Sequence, residues 1–275
     1  MLKFLCFGSG SSGNCYYLSD GNEAIIIDAG IGIRTIKKYF LEYGVDVKNI
    51  KAILVTHDHF DHVKAAGELS KFLNVKVYAS ELVLKKMTSS YRSKLQMDCC
   101  VPVYENISFQ LGRFSVCPFR LPHDSVDNFG YLIDTGLQNF ILMTDIGMPT
   151  EAVCRYISKA ENLVIESDFD EDMLDKNPRY YQDLKERIKG PFGHLSNRQT
   201  AELIANNYHP NLKNVWLCHL SAENNLPDKA RDEVAAKLRE NGIVPGEDVN
   251  IHVLMRKKVS GPWILNNVCA HKNFF

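Results

Sequence analysis

Apolar positions along this chain switch repeatedly between a period of two and a period near 3.6. Cys15 to Leu18 and Ala24 to Asp28 are β-branched and aromatic runs. The Ser19-Asp20-Gly21-Asn22 segment between them has tight-turn chemistry, so the pair predicts a hairpin. Ile33 to Tyr43 places its apolar residues at helical spacing and runs into Gly44, a residue suited to closing a helix. Ala52 to Val55 predicts a buried strand. A helix is expected from Val63 to Phe72, then a strand at Val75 to Tyr78.

From Val101 to Thr144 the pattern is a series of β runs ending in Phe140-Ile141-Leu142-Met143-Thr144. Strands at Leu163 to Glu166 and Val215 to Cys218 then alternate with helices at Asn197 to Asn207 and Asp228 to Asn241. Ser196, with Gln199 three residues on, is a capping box for the first of these helices. Alternation of this kind predicts an α/β protein. Two β-rich halves with flanking helices fit a layered sandwich, although periodicity alone does not separate it from other α/β topologies. No repeat, low-complexity tract or Pro/Gly-rich linker interrupts the pattern, so residues 1–275 are expected to form a single domain.

Composition changes this picture little. Hydrophobic residues make up 45% and charged residues 24%, enough for a sizeable core. The net charge of −1 provides no overall positive field, which argues against a DNA-coating protein but leaves room for a nuclease with a local basic groove. Met1 to Gly10 is too short for a signal peptide, and no apolar stretch has the length of a membrane span. Cysteines stand at 6, 15, 99, 100, 117, 154, 218 and 269 without a CxxC pair, which predicts reduced thiols in a cytoplasmic protein. Cys6, Cys117 and Cys154 are expected as small core residues.

The chemistry is concentrated after the Ala52–Val55 strand, in Thr56-His57-Asp58-His59-Phe60-Asp61-His62. Four metal-competent side chains, His57, His59, Asp61 and His62, fall within six residues on a loop that can turn them all inward; a strand would split them between two faces. Imidazole and carboxylate ligands suit zinc, manganese or iron.

This motif resembles the signature of the metallo-β-lactamase superfamily, and the chain carries similar counterparts of that family's other motifs in order. Asp28, closing Ile25-Ile26-Ile27-Asp28-Ala29-Gly30, resembles the carboxylate that supports the metal loop from behind. His123 in Leu121-Pro122-His123-Asp124, Asp145 in Leu142-Met143-Thr144-Asp145-Ile146-Gly147 and His219 in Leu217-Cys218-His219-Leu220-Ser221 resemble the remaining ligands. The resemblance implies a four-layer αββα sandwich and two divalent metal ions. His57, His59 and His123 would hold one ion, Asp61, His62 and His219 the other, and Asp145 would bridge them. A shared carboxylate offsets the repulsion of two close cations, and a bound hydroxide is a nucleophile near neutral pH.

Three further segments, Gly8-Ser9-Gly10-Ser11-Ser12-Gly13-Asn14, Gly193-His194-Leu195-Ser196-Asn197 and His219-Leu220-Ser221-Ala222-Glu223-Asn224-Asn225, are similar to the YycJ/WalJ-like branch of the family. That resemblance implies a cytoplasmic 5′-to-3′ DNA exonuclease with DNA as its substrate and no membrane partner. Asp61 and His194 are the expected catalytic residues; Ser11, Ser12, Asn14, His194 and Ser196 are the expected substrate contacts. The branch usually carries a His where Phe169 stands in Glu166-Ser167-Asp168-Phe169-Asp170. Two competing readings are a phosphodiesterase for a small cyclic or linear substrate and a metal-binding protein without catalysis. A basic stripe of Lys185, Arg187, Lys189 and Arg198 beside the site would favour nucleic acid. His209, His252 and His271 lack partner motifs and are expected to be ordinary residues.

Overall fold

The computed structural model describes residues 1–265. Its strands are β1 (Leu2–Gly8), β2 (Cys15–Ser19), β3 (Ala24–Ile27), β4 (Ile50–Leu54), β5 (Lys76–Ala79), β6 (Cys100–Pro102), β7 (Phe109–Leu111), β8 (Phe114–Arg120), β9 (Phe129–Asp134), β10 (Asn139–Met143), β11 (Asn162–Glu166), β12 (Asn214–Cys218), β13 (Asn250–Val253) and β14 (Ser260–Leu265). Its α-helices are α1 (Ile33–Glu42), α2 (Phe60–Val63), α3 (Ala66–Leu73), α4 (Glu81–Ser89), α5 (Glu151–Ile157), α6 (Glu171–Lys176), α7 (Gln182–Lys189), α8 (Asn197–Asn206) and α9 (Pro227–Glu240).

The strands pair into two seven-stranded sheets, in the orders β14-β1-β2-β3-β4-β5-β6 and β13-β12-β11-β10-β9-β8-β7. Each sheet is antiparallel at one end and parallel at the other. β3 to β6 and β10 to β13 are the parallel runs, and β2–β3 is the hairpin expected at Ser19–Asn22. Three buried clusters separate four layers. One lies between α1, α3, α4 and the first sheet. A second interleaves Phe4, Tyr16 and Ile27 of one sheet with Tyr131, Phe140 and Trp216 of the other. The third lies between the second sheet and α5, α8 and α9. The αββα sandwich is the observed fold.

Several boundaries differ from the sequence pattern for identifiable reasons. The expected helix over Val63–Phe72 is two pieces, α2 and α3. The Asp61 carbonyl accepts the Asn14 N–H at 2.7 Å while the Ala65 N–H goes to Ala29 O at 2.8 Å, so the helical bond between them is not made. The strand ending at Asp28 stops at Ile27, because Asp28 has φ of 58°. Cys6 is buried as expected, but Cys117 and Cys154 are only half-buried. The seven cysteines of the described residues are free thiols. Cys269, His271 and the tail from residue 266 lie outside the described residues. No helix among the described residues is long and apolar enough to cross a membrane.

Candidate metal centre

The parallel strands of both sheets end on the same side, and the chemistry-bearing residues follow those ends, the general position for ligands in α/β sheets. Asp28 follows β3, His57 follows β4, Asp145 follows β10, Glu166 ends β11 and His219 follows β12. Asp28, Asp145 and His219 all have φ between 56° and 58°. This left-handed conformation is costly for residues with a Cβ and recurs where surrounding structure forces it. It turns the chain sharply after a buried strand, so that the side chain leaves the sheet at the cluster.

The surroundings that hold these turns are visible. Asn128 Nδ2 donates to the Asp145 carbonyl at 2.8 Å, and Ile146 N–H donates to Glu166 Oε2 at 2.8 Å. The His219 N–H donates to Ser9 Oγ at 2.9 Å. Gly30 permits the metal loop to dock, because a Cβ there would lie 1.5 Å from the Asp61 carbonyl oxygen.

Four overlapping groups of donor atoms result, and two of them leave out Asp145. In His57, His59 and His123, one ligand atom from each lies within 4.8 Å of the others; the same holds for Asp61, His62 and His219. Asp145 lies between them. Its Oδ2 is 3.3 Å from His62 Nε2, and its Oδ1 is 3.5 Å from His219 Nε2 and 3.7 Å from His123 Nε2. The fit to metal is supported by buried nitrogens without hydrogen-bond partners: His57 Nε2 and both ring nitrogens of His219. Such orphaned atoms are unfavourable in a dry site unless a cation completes them.

Outer contacts orient the imidazoles. Asp28 is wholly buried and accepts from Thr56 N–H at 2.9 Å and Thr56 Oγ1 at 2.9 Å, and it lies 2.8 Å from His62 Nδ1. His123 Nδ1 lies 3.1 Å from Gly193 O, which turns Nε2 inward. Burial works against charge on His62, but Asp145, Asp28 and Asp61 outweigh it and push its pKa up to about 9. Burial lowers His57, as does neighbouring His62. Burial would also raise Asp145, but the surrounding His219, His62, His57 and His123 hold it well below the usual carboxylate range.

Glu166 is a site residue that the motif reading passed over. It is fully buried, lies 2.7 Å from His194 Nδ1 through Oε1 and accepts from Leu195 N–H at 3.1 Å through Oε2. Burial opposes protonation of His194, yet Glu166 and Asp168 overcome it and push its pKa up to about 9. The available signal was a carboxylate closing an apolar strand, the same position that Asp28 and Asp145 occupy. Asp168 Oδ1 lies 3.7 Å from His219 Nδ1, while the Phe169 side chain is buried.

The expected substrate contacts divide. Ser11 and Ser12 are exposed. Asn14 is buried: its Oδ1 accepts from Gly10 N–H at 2.8 Å and its Nδ2 lies 2.9 Å from His62 Nε2, so it braces the metal loop. Ser196 is also buried, its hydroxyl accepting from Gln199 N–H and donating to Glu171 Oε1 at 3.0 Å in the expected capping box. Three of the four residues of the basic stripe pair with carboxylates. Arg187 pairs with Asp124, Lys189 with Asp175 and Arg198 with Glu171, while Lys185 donates to the Asp175 carbonyl.

Residues 23–219 match the family model described as beta-lactamase superfamily domain, and the chain belongs to that metallo-β-lactamase superfamily. It is a hydrolase-family chain with nuclease relatives. It is 29% identical to exodeoxyribonuclease YycJ of Bacillus anthracis over 91% of this chain and 94% of the relative. It is 28% identical to exodeoxyribonuclease WalJ of Streptococcus pneumoniae, over 91% of this chain and 93% of that one. Zn(2+)-bound PqqB from Methylobacterium extorquens has the same fold, with a TM-score of 0.71 at 16% identity, covering 95% of this chain and 100% of that one.

Proposed function

We propose that this protein is a two-metal phosphodiesterase that degrades DNA as an exonuclease from the 5′ end. The observation that carries the reading is the position of Asp145 between two three-residue donor groups, with His194 at 3.8 Å from its Oδ1. His57, His59 and His123 would hold one divalent ion, Asp61, His62 and His219 the other, with Asp145 shared; zinc, manganese and iron suit this donor set. Two such ions supply Lewis acidity and lower the pKa of water to about 7.

The chain's own residues do the rest. Asp61 is more open than Asp145, with 23% of its side chain exposed against 3%, and orients the attacking water. His194, kept protonated by Glu166, donates its proton to the departing oxygen as the P–O bond breaks. Ser11 and Ser12 lie free to contact a neighbouring phosphate. Asn14 and Ser196 act by holding the metal loop and the start of α8. DNA as substrate is supported by the two exodeoxyribonuclease relatives, which align over nearly their whole length. Free thiols at the described cysteines fit a reducing compartment such as the cytoplasm.

The pairing of Arg187, Lys189 and Arg198 with carboxylates favours a second reading, a phosphodiesterase for a small substrate. Digestion of 5′- and 3′-labelled DNA with Mn²⁺ separates the two. Progressive shortening from the 5′ end, absent in Asp61→Ala, supports the exonuclease. Intact DNA alongside cleavage of a generic phosphodiester supports the small substrate.

A further inference from the structure

The hydrolytic account leaves one run of positive charge without a role. Arg256, Lys257 and Lys258 follow one another in the loop between β13 and β14. Lys257 and Lys258 are exposed and Arg256 is half-buried. On α7, Arg187 and Lys189 pair with Asp124 and Asp175, whereas none of these three joins an ion pair among the described residues. Their charge therefore remains available to a ligand.

Hydrogen bonds tie this loop to the metal centre. β13 runs parallel to β12, and Leu254 N–H donates to Leu217 O at 2.9 Å, so the chain emerges from the sheet beside His219. Ser9 joins the two ends: its hydroxyl accepts from the His219 N–H at 2.9 Å, and its own N–H donates to Met255 O at 3.2 Å. Arg256 then reaches back to the residues that follow His219, with Nη1 donating to Ser221 O at 2.6 Å and to Leu220 O at 3.4 Å. Carbonyl acceptors orient the guanidinium without cancelling its charge. Gly10, at φ of 140°, packs on the Arg256 stem, where a Cβ would fall 3.1 Å from Cγ. Gly13 N–H donates to Gly10 O at 2.8 Å and closes a turn that carries the exposed Ser11 and Ser12. Hydroxyls and cations thus share the rim on the Asp61–His62–His219 side.

Uncancelled cations beside free hydroxyls match a row of phosphates. We propose that Arg256, Lys257 and Lys258, with Ser11 and Ser12, form the surface that holds the nucleic-acid backbone next to the reacting phosphodiester. This rests on the nuclease reading of the same site. Contacts of this kind fix the position of the strand and carry no base specificity. The backbone then leaves the metal centre past His219 and the Gly8–Gly13 loop, away from α7, where carboxylates already occupy Arg187 and Lys189.

The test reads the salt dependence of binding. Metal-loaded protein is titrated onto a phosphorothioate DNA oligonucleotide, as single strand and as duplex, at rising potassium chloride. Each phosphate contact that is lost flattens the slope of log K against log salt by about 0.7–0.9. Lys257→Gln/Lys258→Gln is therefore expected to flatten it by about 1.4–1.8, so that the advantage of wild type shrinks about tenfold when salt is raised about fourfold. Both side chains are exposed, so the variant keeps the fold. Lys185→Gln/Lys189→Gln removes the same net charge from α7 and is expected to keep a slope close to that of wild type. Equal flattening by the two double variants reduces the effect to overall charge and overturns the surface, as does a wild-type slope in Lys257→Gln/Lys258→Gln. If DNA is digested and that slope is unchanged, the surface fails while the nuclease reading stands. If no DNA binds while a small phosphodiester is cleaved, the nuclease reading fails and takes the surface with it.

Discussion

Replacing Asp28 by Asn removes one buried charge while leaving the backbone almost untouched, since Asn tolerates the left-handed conformation that Asp28 adopts at φ of 58°. The carboxylate accepts from both donors of Thr56 and lies 2.8 Å from His62 Nδ1, so the change weakens the group that fixes the His62 ring. Carboxylate partners of ligating imidazoles typically tune metal affinity by about tenfold to hundredfold, equivalent to ~1.4–2.8 kcal/mol. A second effect opposes the first. Asp28 also helps to hold a proton on His62 in the metal-free protein, where burial is outweighed and the pKa reaches about 9. Metal must displace that proton, so affinity falls as pH drops below 9, and Asp28→Asn relieves part of the competition. The loss is therefore expected in full near pH 9 and narrows toward pH 7. Competition titration with a zinc-binding dye at the two pH values reads both quantities. Equal affinity of wild type and Asp28→Asn at pH 9, or a gap that widens toward neutrality, refutes this reasoning.

Glu166→Gln tests the proton donor. Glu166 lies against His194 and raises its pKa, so it extends proton donation, and with it kcat, to higher pH. In Glu166→Gln the alkaline fall moves toward the ordinary histidine range, and His194→Ala lowers kcat by about 10²–10⁴-fold, both read from pH–rate profiles. Gly30→Ala places a Cβ 1.5 Å from the Asp61 carbonyl oxygen. The displaced loop is expected to lower stability by about 1–3 kcal/mol and to weaken the Asp61–His62–His219 group, seen by thermal melting and metal content together. Ser196→Ala removes a helix cap and is expected to cost about 1 kcal/mol with KM unchanged. A large rise in KM at full stability would instead place that hydroxyl on the substrate.

The metal loop was legible because its donors crowd into six residues after an apolar strand, and the remaining ligands sit at ends of equally apolar runs. Glu166 lay in plain sight at such an end but belongs to no local cluster; only the approach of His194 from 28 residues away reveals its role. Asn14 was singled out for a phosphate, whereas the fold turns it onto Asp61 and His62, a contact 47 and 48 residues distant. The break between α2 and α3 could not be read locally either, because it is made by Asn14 and Ala29 claiming backbone groups from another layer. α6 buries only Leu174 and α7 none of its residues, so neither helix presents a stripe to the core. The Leu2–Gly8 run showed no alternation because nearly all of it is buried, as the inner strand of a sheet covered on both faces.

The two-metal claim is tested most directly by counting. Protein stripped with chelator, titrated with Mn²⁺ and followed by metal analysis after desalting, should retain two ions per chain, while Asp145→Ala, folded as judged by circular dichroism, should retain fewer and leave 5′-labelled DNA intact. Wild type that saturates at one ion, or Asp145→Ala that keeps both ions and full activity, would contradict the account.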